Sequence, residues 1–539
     1  MIIDRSYCSQ TNYKQRVITI SMITNLYTNM NRKFLLYSIP LILLSIATMT
    51  LTSRNSPMYL FNDWVDLNAF MTVGKGWLHG MVPYRDLFEQ KGPILFFFFL
   101  IANMISKTYF GIFIIEILMF FISLTLTFKI SRKYLGVGES FLVCAFMSWV
   151  LTISPFFQAG GSAEELSFPF ILYSIYLLLC VSEKNFEITN KQSYFAGFCF
   201  AMLFWIKFTL VGGYLAAFIF LIGIFTFRKQ FYSLISMMIF SLLGFLTVTI
   251  PIILYFSINN AMNDLIFSYF ISNIKLYPNN SGATIIWKIL NSIFLYFKKI
   301  DDIPVLFFLL IPMLIYLIIS NTFLKNDLTK FVYCAMYLGL IVSVFFGGKT
   351  FDYYYLALFP FSIIPIIGII KLLDTHVRQS IGSYILLLLF SFVLMIGFNT
   401  NFLASKLYPN NKSYQYSQNY SGPFQGTFSK IILKNSDKTL LNYGSLDIGL
   451  YHATDVLPVN KYFHKVNIPD QALPKMMNEQ NSMVRNKKVA FVVLRTPIGS
   501  KEESAVPKLI RDNYKLITTQ DQSYLGSSLS FTYRLYKVK

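Results

Sequence analysis

The sequence predicts a polytopic α-helical membrane protein of about eleven spans, carrying a small α/β domain at its C-terminal end. Three observations predict it. Only 13% of the 539 residues are charged and 55% are hydrophobic, whereas about a quarter of a soluble domain is charged. Apolar runs such as Phe34–Ser53, Tyr232–Ser257, Pro304–Ser320 and Ser383–Asn399 are long enough to cross a ~30 Å hydrocarbon core as helices. Beyond residue 400 the chain turns polar, with turn-forming Tyr408-Pro409-Asn410-Asn411 and Ser421-Gly422-Pro423. The alternation of an outer-membrane barrel is absent.

By apolar length the spans fall near 34–53, 108–128, 139–157, 167–182, 193–206, 209–227, 232–257, 304–320, 331–347, 353–370 and 383–400. Residues 1–33 form a polar segment before them. That segment lacks a cleavage pattern, so the first span reads as a retained anchor; Met22 and Met30 are alternative starts. The run Ile94–Ile105 has the length of a re-entrant or juxtamembrane segment and is not counted as a span. With it left out, positive residues such as Lys129, Arg132, Lys133, Lys184, Lys191, Arg228 and Lys229 gather on inner segments. Their density there is roughly twice that of the outer loops, which follows the positive-inside rule. The N-terminus is then cytoplasmic. The 54–107 loop, the 158–166 loop, the 258–303 loop, the Gly347–Asp352 turn and the 401–539 domain share the extracytoplasmic face of the cell membrane.

Within that domain Leu440–Tyr443 and Val489–Leu494 read as strands and Leu473–Met483 as a helix. Residues 401–539 hold 19 Lys and Arg against 9 Asp and Glu, half of the net +20. In a membrane protein nucleic acid is not the partner this surplus calls for. It suits anionic lipid head groups or an anionic polymer, and equally a solubilising surface. Cys144, Cys180, Cys199 and Cys334 lie in apolar runs and Cys8 stands alone, so neither a disulfide framework nor a zinc spacing is present.

The 54–107 loop is the most chemically informative stretch, because charge beside an apolar span is where water, membrane and chemistry meet. From Asp63, polar Asn68, Thr72, Lys75 and His79 recur at helical steps, with Leu67, Phe70, Met71, Trp77 and Leu78 opposite. This predicts an amphipathic interfacial helix capped by Asn62 or Asp63. Asp63 and Asp66 share a face at its start, where the macrodipole favours carboxylates. Pro83-Tyr84-Arg85-Asp86 and Lys91-Gly92-Pro93 follow. Asp66 or Asp63 can serve as a base for an acceptor hydroxyl, and Lys91 and Arg85 can hold a lipid phosphate. Ordinary solvated loop charges would give the same composition.

These motifs resemble the first outer loop of the GT-C superfamily, in particular bacterial relatives of the dolichyl-phosphate-mannose protein mannosyltransferases and of the aminoarabinose lipid A transferase. Asp66, Gly74, Pro83-Tyr84-Arg85-Asp86 and Lys91-Gly92-Pro93 stand at the matching places. The resemblance implies that Asp66 is the catalytic carboxylate and Lys91 a donor-phosphate contact, with Tyr84 and Asp86 in the substrate-binding stretch. Leu67 stands where many members have a second acid, and Ala69 where an Arg is common; Asp63 lies one turn earlier. Glu164 and Glu165, in Gly160-Gly161-Ser162-Ala163-Glu164-Glu165, look like the family's second acidic site, with Glu164 the better match. Such a pair can hold an acceptor, orient a base, bind a divalent cation such as Mg or Mn, or simply favour a helix start. Gly347-Gly348-Lys349-Thr350-Phe351-Asp352-Tyr353-Tyr354-Tyr355 resembles the family's late outer turn, with Tyr353 at the place of its His. There Lys349 would add charge for the donor, and Tyr353 and Tyr354 would pack lipid or sugar; an interfacial aromatic belt accounts for the tyrosines as well.

Lys207, between two spans, can touch a lipid phosphate or anchor at the interface. Glu116 lies mid-span, a buried polar site by default. His79, His376, His452 and His464 are scattered and give no histidine metal site. An outward-facing site has no nucleotide-sugar supply. The reading is therefore a glycosyltransferase moving a sugar from a polyprenyl-phosphate donor to a cell-envelope glycopolymer or glycolipid by base-assisted inverting displacement. The alternatives are a flippase or transporter of lipid-linked sugars, which would line a path through the bundle with charge, and a polysaccharide polymerase or ligase.

Overall fold

The structure, a computed structural model, describes residues 36–278, 282–300, 324, 326–376, 381–407, 422–523 and 530–539. The expected span 304–320, the 1–33 segment and the turn at Tyr408–Asn411 lie outside them. The chain is a polytopic helical membrane protein with a small C-terminal α/β domain. Its helices are α1 (Leu36–Thr52), α2 (Val65–Leu78), α3 (Pro93–Ile105), α4 (Phe110–Ser131), α5 (Val137–Leu151), α6 (Phe168–Glu183), α7 (Asn190–Lys207), α8 (Gly212–Phe227) and α9 (Phe231–Ile258). Then come α10 (Met262–Leu265), running into a π-helical stretch Ile266–Leu276, α11 (Ile285–Ile300), α12 (Asp327–Phe345), α13 (Asp352–Leu356), α14 (Ile363–His376) and α15 (Ile381–Phe398).

Among the described residues, α4, α6, α7, α9, α12 and α15 are long and apolar enough to span by themselves, and α1, α5 and α8 are shorter apolar helices. Their outer faces stay apolar and uncovered, as at Tyr232 and Leu254 of α9 and Leu386 and Val393 of α15, the arrangement lipid demands. The expected 353–370 span is broken: α13 ends before a tight turn over Phe359–Ser362 that contains Pro360, which cannot continue the preceding helix. The run at 94–105 is a 13-residue helix packed against α2, α4 and α7. At ~1.5 Å per residue it is too short to cross the core.

The 258–303 loop contains α10, the π-helical stretch and the amphipathic α11. One expectation is corrected. The helix after Asp63 exists as α2, but its polar side does not face water. Asn68, Thr72 and Lys75 are buried beneath the C-terminal domain: Thr72 Oγ1 donates to Asp447 (2.7 Å), and Lys75 Nζ to the carbonyls of Tyr451 (2.7 Å) and Val456 (3.0 Å). Trp64 is the cap residue and carries no side-chain cap; Asn62 Oδ1 accepts from its amide at 3.0 Å.

The C-terminal domain contains α16 (Phe424–Leu433), α17 (Leu450–Thr454) and α18 (Pro474–Arg485), around a sheet of β1 (Leu440–Asn442), β2 (Phe491–Pro497), β3 (Tyr514–Ser523) and β4 (Ser530–Val538). The order is β1-β2-β4-β3, with β1 parallel to β2 and the other pairs antiparallel. The expected strands and helix fall on β1, β2 and α18; β3 and β4 had no distinct sequence signal. Apolar residues of α16, β1, β2 and β4 join those of α2, α3 and α7 in one core, so the domain is seated on the bundle.

Candidate functional site

Where the domain meets the bundle lies a cavity of about 360 Å³, within the size range of small-molecule sites. Asp66, Lys91, Lys207, Lys288, Lys349, Tyr353 and Tyr354 line it, with Leu446, Val466 and Asn467 of the C-terminal domain as its cover. Asp66 sits in the first turn of α2, where the helix dipole favours a carboxylate. Tyr353 Oη donates to its Oδ2 at 3.1 Å, and Lys91 Nζ is 3.9 Å from the same oxygen.

Lys91 is held there by backbone. The Gly92 amide donates to Ile206 O at 3.0 Å, and a Cβ on Gly92 would lie 2.0 Å from Trp205 O. Only glycine lets the loop touch the end of α7, and that contact sets Lys91 beside Lys207. Pro93 then opens α3, in the position where its missing N–H costs nothing. Tyr84 Oη donates to Lys91 O at 2.7 Å.

The other lysines approach from elsewhere. Lys207 donates to Glu164 Oε1 at 2.6 Å and lies 3.5 Å from the Tyr354 ring centre, a cation–π contact. Lys349 lies 3.7 Å from the Tyr277 ring centre and Lys288 5.5 Å from that of Phe346. Glu89, also on the cavity, has an Oε2 3.2 Å from His464 Nε2 of the C-terminal domain.

The electrostatics follow from this count. Burial pushes the Asp66 carboxyl above its ordinary range, and Lys91 only partly offsets it. Burial would raise Glu89 too, but His464 and Lys91 outweigh it and bring it below the usual carboxylate value. Burial works against the Lys91 charge; Asp66 and Glu89 together more than restore it and hold the ammonium above its ordinary value. Lys91 thus stays charged and shared between two acids, of which Glu89 ionises first. Asp66 is left as the more basic carboxylate, the property a proton acceptor needs.

Several expected site residues do other work. Asp63 does not line the cavity: it accepts from Arg54 at 2.6 Å, and Arg54 also holds Asn401 at 2.8 Å, so it braces the rim of the bundle. Arg85 and Asp86 pair with each other at 2.8 Å on the surface. Asp86 also accepts from the Val82 amide (2.7 Å), and Arg85 donates to Asn259 O (2.9 Å). With buried Tyr84 they shape the turn that delivers Lys91, outside the cavity. Glu164 and Glu165 point apart. Glu165 accepts from the Gly161 amide at 2.7 Å, deep beside Glu116, which takes Ser53 (2.9 Å) and Asn55 (3.0 Å). Gly160 and Gly161 have φ of +90° and +78°, and a Cβ on Gly160 would lie 2.5 Å from Glu116. Among the described residues no three His, Cys, Asp or Glu side chains gather as a metal site requires. Glu89, Lys288, Tyr277 and His464 were not singled out from the sequence. Lys288 had a signal: Lys288, Ser292, Tyr296 and Lys299 recur at helical steps on α11.

No protein-family model and no curated protein matches the chain. Solved structures do. ArnT from Cupriavidus metallidurans bound to undecaprenyl phosphate aligns over 93% of this chain and 97% of its own, with TM-score 0.56 and 9% identity. Its apo structure aligns over 94% and 98%, with TM-score 0.57 and 8% identity. The fold is that of the GT-C membrane glycosyltransferases. In this fold the cavity, the 54–107 loop and the C-terminal domain occupy one end of the bundle.

Proposed function

We propose that the chain transfers a sugar from a polyprenyl-phosphate donor to a cell-envelope glycopolymer or glycolipid on the extracytoplasmic face, with its N-terminus cytoplasmic. One observation carries the reading: the Asp66 carboxylate, with Lys91 3.9 Å away, opens onto a lysine-lined cavity beside the membrane-embedded bundle. The acceptor oxygen attacks the anomeric carbon as the bond from that carbon to the phosphate oxygen breaks. The acceptor's proton goes to Asp66, and the phosphate leaves with the bonding electrons toward Lys91. One displacement without a covalent intermediate inverts the anomeric centre. Lys207 and Lys349 add positive potential for the leaving phosphate. Tyr353 orients Asp66, and Tyr354 supports Lys207 under the sugar. Glu164 fixes Lys207.

The charges of the cavity gather at one end of the bundle, and Glu116 is satisfied within the protein, an arrangement that suits an enzyme better than a flippase. The test is to reconstitute purified protein with a panel of undecaprenyl-phosphate sugars and envelope acceptors, beside Asp66→Asn. Transfer that disappears in the variant while donor binding persists supports the reading; transfer that survives defeats it.

A further inference from the structure

The sheet of the C-terminal domain has two chemically different ends. β1 runs toward Leu446, which covers the cavity, and at the start of α16 Gln425 donates to Ile448 O at 2.9 Å on the same side. At the opposite end β1, β2 and β3 begin and β4 finishes, because β1 and β2 are parallel and β4 is antiparallel to β2 and β3. Lys434 and Lys438 precede β1, Lys487 and Lys488 precede β2, Lys515 opens β3 and Lys537 closes β4. Five of the six are exposed and Lys537 is half-buried. Four separate stretches of sequence thus meet as one basic pole, at the end of the sheet opposite the cavity.

Lys515 and Lys537 are direct cross-strand partners, so two like charges share one face, a destabilising arrangement unless an anion lies between them. Lys537 Nζ reaches Asn435 Oδ1 at 2.6 Å, and among the described residues none of the six lysines has a carboxylate at ion-pair distance. Of the acidic side chains at this end, Asp437 is engaged by Thr439 (2.7 Å), and Glu502 takes Tyr536 Oη (2.9 Å). Three inter-strand gaps separate β1 from β3, so the charges spread over about 15 Å. A single phosphate cannot bridge that distance; a chain with regularly repeated anionic groups can.

We propose that this pole is a docking surface for a linear phosphodiester polymer of the cell envelope, bound through its repeating charges outside the cavity. Its place at the end of the sheet opposite the cavity argues against lipid head groups. Among the described residues the lysines are not interleaved with exposed aromatic rings, which a single-stranded nucleic acid would use for stacking. The surface needs no chemistry in the cavity and stands whether or not the transferase reading does.

The test uses full-length protein in nanodiscs of zwitterionic lipid, titrated with fluorescent poly(glycerol phosphate), with neutral dextran as control. The expected result is saturable binding of the polyanion alone, weakening with salt as counterion release requires. In K434Q/K438Q/K487Q/K488Q, all exposed positions, affinity should fall about tenfold or more, with a shallower salt dependence. Asp66→Asn should bind the polymer as wild type does, so loss of transfer and loss of docking are read separately. Absence of saturable binding, or undiminished binding by the quadruple variant, overturns the proposal. So does a quadruple variant that loses affinity for phosphatidylglycerol vesicles but keeps it for the polymer, since the pole would then be a membrane contact.

Discussion

Two carboxylate–lysine pairs differ in how tightly they close: Asp66, Lys91 and Lys207 line the cavity, while Glu164 is buried off it. Glu164 and Lys207 meet at 2.6 Å, with side chains 1% and 11% exposed. Asp66 and Lys91 stand 3.9 Å apart, 15% and 17% exposed, and open to the cavity. A pair in close contact and out of water is committed to itself, and removing either partner strands a buried charge. A pair held just beyond hydrogen-bonding distance can let a substrate in between: a hydroxyl toward the carboxylate, a phosphate toward the ammonium. Both pairs rest on one contact, the Gly92 amide on Ile206 O, which joins the loop bearing Lys91 to the helix bearing Lys207. The tight pair supplies a fixed frame and the loose pair the reactive groups.

This contrast breaks most readily at Asp66. Asp66→Asn keeps the shape and removes the base, so transfer should fall by about 10³-fold while donor affinity changes little. Because burial raises the Asp66 carboxyl, wild-type activity should fade on acidification at a higher pH than an ordinary carboxylate would dictate; a rate–pH profile reads this directly. Lys91→Met should come next, costing about 10²-fold in kcat/KM with a clear loss of donor affinity, since a contact to both bound and leaving phosphate goes. If the variant binds donor normally, Lys91 is not the phosphate group. Glu164→Gln should act mainly on stability, about 3–5 kcal/mol in thermal or denaturant unfolding. Glu164→Gln/Lys207→Met should recover much of it, because no charge is then left buried. If Glu164→Gln abolishes transfer with unfolding unchanged, the tight pair belongs to the chemistry and the contrast fails.

The parts of the site that the sequence made legible are those encoded within a few residues. Asp66 at a helix start, Lys91 before Gly92-Pro93, and Tyr353 and Tyr354 after a glycine pair all announce themselves locally, and all line the cavity. Asp63 carried the same local signal as Asp66 but is claimed by Arg54, nine residues earlier, and no pattern shows which of two acids one turn apart will be taken. His464 meets Glu89 across 375 residues, a contact that exists only once the C-terminal domain is seated. The polar stripe of α2 misled for the same reason. Periodicity reveals that Asn68, Thr72 and Lys75 share a face, but water and a second domain call for the same residues. The spans were legible because lipid imposes a length and a composition; the break at Pro360 needed only the proline.

That seating offers the smallest and most specific test. Lys75 is buried under the C-terminal domain, and desolvation lowers its ammonium to about 8 from an ordinary 10.5, with Asp455 only partly opposing. Between those values the unfolded chain holds a proton that the folded chain has lost, so stability rises with pH across the window and is flat below about 8. Relative to high pH, the stabilisation disappears as the medium falls through the folded value. Measured by thermal unfolding between pH 7 and 10.5, wild type should gain on Lys75→Met only above pH 8, by about 3 kcal/mol at most. A wild-type-minus-variant difference that stays constant through the window would mean that Lys75 keeps its charge in the folded protein. The domain would then be seated on an ammonium held by the Tyr451 and Val456 carbonyls and Asp455, as firmly charged as the Lys91 it helps to enclose.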